Sequence, residues 1–339
     1  VQNLRILKLR RISRLPGWTN NIGFPDISKF APTHIVEKSK LKEPYVITVI
    51  LNTNRRDDTL EALESLFKGN YSHHKVIVLD NASTDGSVES IGSQYPDVQI
   101  IALDRNLGYA GNNNVGIQAA ISQGAEWVFV LNEDTVVDPD CISTMVDAAG
   151  DLPEVGILGP LVYHYDEKDV IQTAGGSLDA HWESVHIGQN QADRGQYSGN
   201  REVDWISGCA ILVNRKVIEQ IGALDERFFY YWEETDWCVR ARESGWKIYC
   251  VSDAKLWHKG VQRDYRPSPN ISYYATRNRL LLLSNHRPPL KVKLYTWWTL
   301  LRRLASWSLR PKWRSKREHR DALWQGIMDY RNKRWGMRS

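Results

Sequence analysis

Apolar positions along the chain fall into short runs separated by polar, turn-rich stretches, and their spacing alternates between two periods. Tyr45–Leu51 is a mostly apolar run of strand length. Asp58–Phe67 then sets Leu60, Leu63, Leu66 and Phe67 at helical spacing. Lys75–Leu79 and Val98–Leu103 read as further strands, Ala110–Ser122 as a helix and Trp127–Leu131 as a fourth strand. Pro139–Ala149 reads as a helix with proline at its start. Strands alternating with helices predict an α/β domain with a largely parallel sheet. Each strand runs into polar residues at its C-terminal end, where open α/β sheets bind ligands.

Beyond about residue 155 the regularity fades. Gly156–Tyr163 and Val203–Val213 read as strands on either side of a polar, glycine-rich segment, 166–202. Glu233–Ser244 reads as a helix stopped by Gly245, and Lys247–Val251 as a strand. From residue 272 the pattern is helical, basic and rich in tryptophan. Residues 1–15 alternate basic and aliphatic side chains, with Leu4, Leu7, Ile12 and Leu15 near one helical face. Turn formers (Pro16, Gly17, Pro25, Pro32) dominate from there to Pro44. The expected organisation is a basic extension, 1–44, a catalytic α/β domain, 45–271, and a helical C-terminal region, 272–339. The α/β domain divides into a nucleotide-binding half, 45–150, and an acceptor half, 151–271.

Charge sharpens this division. The net charge of +4 over 339 residues hides basic ends and an acidic centre. Residues 285–339 carry 15 Lys/Arg against 3 Asp/Glu, and residues 1–15 carry 5 basic residues and no acid. The last segment also holds six of the 14 tryptophans. Indole rings beside cations suit the water–lipid boundary, so these ends are expected to meet an anionic membrane surface. The alternative is a solvated basic face on helices packed against the domain. Nucleic acid is disfavoured as a partner because the centre is acidic. The longest apolar stretch, Leu294–Leu309, is broken by Arg302 and Arg303, so no membrane span is expected. No apolar run precedes a cleavage site, so no secretory signal is expected. The four cysteines form no Cys-x-x-Cys pair, which signals neither a zinc site nor a disulfide framework. The expected location is the cytoplasm, peripheral to the membrane's cytoplasmic face.

Four polar clusters carry candidate chemistry. Thr53, Asn54 and Arg55 follow the first strand and can cap the next helix or touch base and ribose. Asp80, Asn81, Ser83 and Asp85 follow the second strand. An aspartate there can accept the N3–H of a pyrimidine, or the segment can be a generic turn. Gly108, Gly111 and Asn112 open a helix whose small residues permit close approach to a sugar diphosphate. Asn132, Glu133 and Asp134 end the fourth strand, where Asp134 can hold Mg²⁺ or Mn²⁺ through oxygen or can cap a turn.

In their order, residues 46–55, 76–87, 106–116 and 129–137 resemble family-2 glycosyltransferases of GT-A fold, especially their bacterial rhamnosyltransferase-like branch. The resemblance runs over about 45–283. It implies a Rossmann-like, mostly parallel sheet and inverting transfer from a dTDP- or UDP-sugar, dTDP-L-rhamnose foremost, to a hydroxyl of a glycan or lipid-linked acceptor. It implies Mg²⁺ or Mn²⁺ at Asp134 and His258. Glu234 takes the place of the general base, with Glu233 as rival. Trp205, Ser207, Gly208, Tyr231 and Trp232 fall in the acceptor segment. On a helix Glu233 and Asp236 share a face, and Arg240 one turn after Asp236 favours a structural ion pair.

Two departures matter. Many members carry Asp-x-Asp at the metal, whereas here Asn132 stands first, as in the rhamnosyltransferase-like branch. The Gln-x-x-Arg-Trp of processive synthases is replaced by Arg331-Asn332-Lys333-Arg334-Trp335, which favours a non-processive enzyme. Other donors (UDP-galactofuranose, UDP-GlcNAc, UDP-glucose), a nucleotidyltransferase and a non-catalytic sugar-binding protein remain open at this point.

Overall fold

In a computed structural model that describes residues 43–260 and 267–338, the first part of the chain alternates strand and helix. It runs β1 (Val46–Asn52), α1 (Arg56–Phe67), β2 (His74–Asp80), α2 (Ser87–Gln94), β3 (Gln99–Ala102), α3 (Gly108–Ser122), β4 (Trp127–Asn132), β5 (Thr135–Val137) and α4 (Cys141–Asp151). Then come β6 (Val155–His164), β7 (Ile171–Thr173), β8 (Gly176–Leu178), β9 (Ser184–His186), β10 (Asn200–Glu202) and β11 (Ala210–Asn214). The chain continues through α5 (Arg215–Ile221), α6 (Glu233–Glu243), β12 (Lys247–His258), α7 (Pro269–Asn285), α8 (Leu290–Leu309) and α9 (Arg317–Arg331). The basic stretch expected at 1–15 lies outside the described residues.

The main sheet has the order β10-β12-β6-β11-β4-β1-β2-β3. The neighbours β4, β1, β2 and β3 are parallel throughout. β11 enters antiparallel between β4 and β6. Side chains alternate between two cores. Ile50, Val76, Val78, Phe129 and Leu131 face one core, shared with α1 and α4. Ile47, Val49, Ile77, Leu79, Val128 and Val130 face the other, shared with α3 and α6. Cover on both faces explains why β1, β2 and β4 read as unbroken apolar runs. All four cysteines are buried and unpaired.

Several elements differ from their sequence pattern. The strand expected over Val203–Val213 begins only at Ala210 and runs to Asn214, because Ala210 N–H turns back to the Ser207 carbonyl at 3.2 Å. The helix expected from Pro139 starts at Cys141, since Asp138-Pro139-Asp140 forms a turn closed by Cys141 N–H on the Asp138 carbonyl. Phe67 lies on the exposed side of α1, stacked on Tyr95 at 5.2 Å, while Ala62, Leu63 and Leu66 face the core. The strand expected to stop at Val251 continues to His258 past a register shift between Val251 and Lys255.

The C-terminal helices are not a loose tail. α7 buries Leu280–Leu283 together with Arg277 and Asn278, and α9 buries Leu323 and Ile327 against it. α8 buries little beyond Val292, Thr296 and Leu300. Among the described residues no helix is long and apolar enough to cross a membrane.

Candidate active site

A cleft of about 340 Å³ opens at the C-terminal ends of β1, β2 and β4. Of the predicted donor set, Thr53, Arg55, Asn81, Gly108, Asn112, Asn132, Glu133 and Asp134 line it, joined by Tyr109, Phe229 and Tyr230. The pairing of Asn52 opposite Asp80 and of Leu51 opposite Asn132 brings these strand ends together.

The rest of the donor set lies behind this wall. Asp80 is buried, accepting Asn52 Nδ2 at 2.9 Å and the Ser83 N–H at 3.1 Å. The Ser83 hydroxyl accepts from Asn52 Nδ2 and from the Asn54 N–H, both at 3.0 Å. Asp85 accepts the Arg56 N–H at 2.8 Å, so it serves the start of α1. Asn54 and Asp85 border a separate surface concavity. Gly111 sits under Leu107, where an added Cβ would lie 2.6 Å from the Leu107 side chain.

The opening of α3 is shaped by contact with the loop before α6. Gly108 has φ +74°, and a Cβ there would lie 2.3 Å from the Phe229 carbonyl oxygen. Only glycine fits both the left-handed conformation and that approach. Asn112 accepts the Leu107 N–H at 2.9 Å, which holds the first turn of α3.

Asp134 and His258 come together because Thr135 pairs with His258 across β5 and β12. Asp134 Oδ1 is buried, lies 3.1 Å from His258 Nε2 and accepts no hydrogen bond of good geometry. Its other oxygen accepts the Gly260 N–H at 3.2 Å. His258 Nδ1 lies 2.7 Å from Gln172 Oε1, which fixes Nδ1–H and turns the Nε2 lone pair toward Asp134 when the ring is neutral. Burial disfavours a charged ring, but Cys209 and the Asp134 carboxylate beside it push His258 up to about 10. A proton there supplies the positive charge the pair attracts. An orphaned carboxylate oxygen facing an imidazole nitrogen fits a divalent ion sharing the remaining positions with a diphosphate. No cluster of three or more His, Cys, Asp or Glu side chains suited to a metal occurs among the described residues. Glu133, next door, is pushed up to about 7 by burial and by Asp134.

Glu233 and Glu234 begin α6. Glu233 is buried and its Oε2 has no partner; burial, then the charge of Glu234, raises its carboxyl well above the usual range. Burial pushes Glu234 up to about 7, opposed by backbone N–H groups at the helix start. Tyr109 links this pair to the cleft. Its hydroxyl donates to the Gly208 carbonyl, and a Cβ on Gly208 would lie 3.2 Å from that hydroxyl and 3.7 Å from Glu234 Cβ. Asp236 points away, held by Arg240 at 2.7 Å, His286 at 3.0 Å and Asn285 at 2.9 Å, the structural ion pair expected of it.

The loop entering α6 holds three non-glycine residues at positive φ: Phe229 (65°), Tyr231 (72°) and Trp232 (76°). Such residues persist only where the surroundings hold them. Here α7 does so. Asn278 Nδ2 donates to the carbonyls of Phe228, Tyr230 and Tyr231 at 2.7–2.9 Å. Arg277, fully buried, donates to the carbonyls of Arg227 and Phe228. Among the predicted acceptor residues, Trp205 is buried over Gly176 and is core; Gly208 meets the Tyr109 hydroxyl, and Ser207 precedes it in the turn that Ala210 N–H closes. Tyr231 and Trp232 pack partly against the C-terminal helices. Gln172, Arg277 and Asn278 stand outside every cluster read from the sequence, whereas Tyr109 sits within 106–116 and Phe229 and Tyr230 within an aromatic run, 228–232, suited to offer flat faces to a sugar ring. The polar run Arg277-Asn278-Arg279 before Leu280–Leu283 is the one sequence signal of a buried polar clamp.

Sheet order, strand-end cleft and buried acids together define a glycosyltransferase of GT-A-like fold. A solved mannosyltransferase from Pyrobaculum calidifontis, PcManGT in complex with GDP-Man and Mn²⁺, has a similar fold, with a TM-score of 0.54, 15% identity and coverage of 86% of this chain and 88% of that one. Residues 46–222 match the family described as glycosyl transferase family 2, and the chain belongs to that family. It is similar to the N-acetylglucosaminyl-diphospho-decaprenol L-rhamnosyltransferase of Mycobacterium tuberculosis, 29% identical over 253 residues, 68% of this chain and 80% of the relative. It is also similar to the dTDP-rhamnosyl transferase RfbF of Shigella flexneri, 25% identical over 257 residues, 74% of this chain and 83% of the relative.

Proposed function

We propose that this glycosyltransferase moves L-rhamnose from dTDP-L-rhamnose, with inversion, onto a hydroxyl of a glycan or lipid-linked acceptor in bacterial cell-surface polysaccharide synthesis. The observation that carries the reading is the pair of glutamates at the start of α6, Glu233 buried and Glu234 half-buried, which do not line the cleft ending in Asn132-Glu133-Asp134 but lie behind Tyr109 and Gly208 at its wall. The names of the two rhamnosyltransferase relatives support the choice of sugar, and the first supports a lipid diphosphate acceptor.

In this reading Thr53, Arg55, Asn81, Gly108 and Asn112 cradle the nucleotide and diphosphate. Asp80 acts from behind, holding the turn that presents Asn81. Asp134 and His258 hold Mg²⁺ or Mn²⁺, which when bound neutralises charge on the departing diphosphate. Glu234 removes the proton from the acceptor hydroxyl as that oxygen attacks the anomeric carbon from the face opposite the diphosphate. A base raised to about 7 is half ionised near neutrality and holds a proton well enough to help. Glu233 is the rival base, its carboxyl raised well above the usual carboxylate range by burial and then by the charge of Glu234. The enzyme works at the cytoplasmic face of the membrane, where a lipid-linked acceptor is presented.

A thermal-shift screen of dTDP-L-rhamnose, UDP-galactofuranose, UDP-GlcNAc and UDP-glucose with Mn²⁺ or Mg²⁺ tests the donor. Ligands that bind only the folded state raise Tm. Stabilisation by dTDP-L-rhamnose above the UDP-sugars is the expected outcome; preference for a UDP-sugar replaces the donor, and no response to any of them sinks the reading.

A further inference from the structure

The 227–232 loop, whose Phe229 and Tyr230 line the donor cleft, borders a second and larger cavity through Arg227. This cavity, about 680 Å³, lies between α7, α8, the end of α9 and the chain after it. Its walls combine two chemistries. Trp297, Tyr330, Trp335 and Leu281 offer flat or apolar surface, whereas Arg227, Arg331 and Lys333 are cationic. Among the described residues no carboxylate lines it. Arg227 is paired with Asp225, but Arg331 and Lys333 form no ion pair among the described residues.

Trp297 also belongs to the outer face of α8. On that face Leu290, Leu294, Trp298 and Leu301 recur at helical spacing and stand 57–69% exposed. Arg302 lies over the Trp298 ring at 5.1 Å, so cations flank the apolar stripe. A helix with exposed leucine and tryptophan bordered by arginine suits the headgroup level of a bilayer.

We propose that this cavity binds the phosphate-bearing end of the lipid that carries the acceptor, while the exposed face of α8 seats in the bilayer beside it. The inference rests on the lipid-linked acceptor proposed above. Arg331 and Lys333 meet the phosphate oxygens, and the apolar stem runs from Trp297 along the α8 face. Arg227 and Tyr230 are three residues apart, so their Cα atoms are separated by at most about 11 Å. A sugar tethered to a phosphate in this cavity therefore reaches the donor cleft along one short loop.

The test is flotation of the full chain with phosphatidylcholine vesicles carrying a minor fraction of a prenyl diphosphate. Vesicles carrying phosphatidylglycerol at equal charge are the comparison. The wild type is expected to prefer the prenyl diphosphate. Arg331→Ala with Lys333→Ala removes that preference and weakens partition about thirtyfold, since each cation near an anionic lipid surface is worth roughly fivefold. Tm and its rise with donor and Mn²⁺ are measured on the same variant, so that misfolding is distinguished from lost binding. Equal binding to both anionic vesicles overturns the proposal. So does an unchanged preference in the double variant with a lowered Tm, which assigns the two cations to the end of α9 alone. A concentration-dependent dimer in light scattering, abolished by Leu294→Glu with Trp298→Glu, overturns it in favour of a second copy on α8. If the wild type binds no donor at all, the glycosyl-transfer reading fails instead, independently of the vesicle result.

Discussion

At the scale of residues, Glu234 couples burial to chemistry. Its raised proton affinity means that the ionised fraction, and with it kcat/KM, climbs with pH and levels off above about 7. Glu234→Gln should lower kcat by roughly 10²- to 10⁴-fold, abolish that acid limb and leave donor binding by calorimetry intact. A Glu233→Gln variant that loses more turnover than Glu234→Gln would exchange the two roles. Gln172 gives a second test, because its Oε1 lies 2.7 Å from His258 Nδ1 while the residue is not part of the cleft lining. Gln172→Ala frees the ring to turn and is expected to weaken Mn²⁺-dependent donor binding by about 10- to 100-fold. Titration with excess Mn²⁺ should restore it; an affinity unchanged at limiting Mn²⁺ contradicts the proposed role of His258. Neither Gln172 nor Tyr109 could be picked out from the sequence, since their significance lies in partners 86 and 99 residues away.

At the scale of elements, the strained loop before α6 and the helix that grips it behave as one device. Asn278→Ala removes its donor from the Tyr230 and Tyr231 carbonyls, while the Phe228 carbonyl keeps Arg277 and the Tyr230 N–H, and should cost about 1–3 kcal/mol, read as a lower urea midpoint. The effect on catalysis is expected in kcat and in the donor KM as well as the acceptor KM, because Phe229 and Tyr230 of this loop line the cleft. A variant that loses stability but keeps full kcat would show that the loop holds its shape unaided. The strands of the first half were legible because both of their faces are covered, which writes continuous apolar runs into the sequence. α3 was legible from its glycines and amides. The acceptor half was not: β7 to β10 are three residues each, too short to show alternation, and the turn at Ser207-Gly208 hides within an apolar stretch. α7 was legible as a helix, but its clamp depends on which carbonyls it meets, and no local pattern encodes that.

At the scale of the whole molecule, residues from Glu43 onward form one unit. Arg277 ties α7 to the loop at 227–228 and, through the Gly336 carbonyl at 2.7 Å, to the end of the chain. Near-ultraviolet dichroism from the C-terminal tryptophans and loss of donor binding should therefore follow one coincident transition in urea. Two separated transitions would mean that the helices fold apart from the sheet. The family match ends at residue 222, before both glutamates and the clamp.

The irregularity in β12 has its own consequence. Between Val251 and Lys255 the strand gains length relative to β6, and Ser252 anchors that excess on the Gly199 carbonyl at 2.9 Å. Side chains on a strand point alternately to opposite sides, so the parity of this insertion decides whether an imidazole or an indole confronts Asp134. Inserting one residue beside Asp253 would leave every recognisable motif untouched and still present Trp257 where His258 now stands. The Asp134–His258 pair is thus specified by a count of residues as much as by their identity.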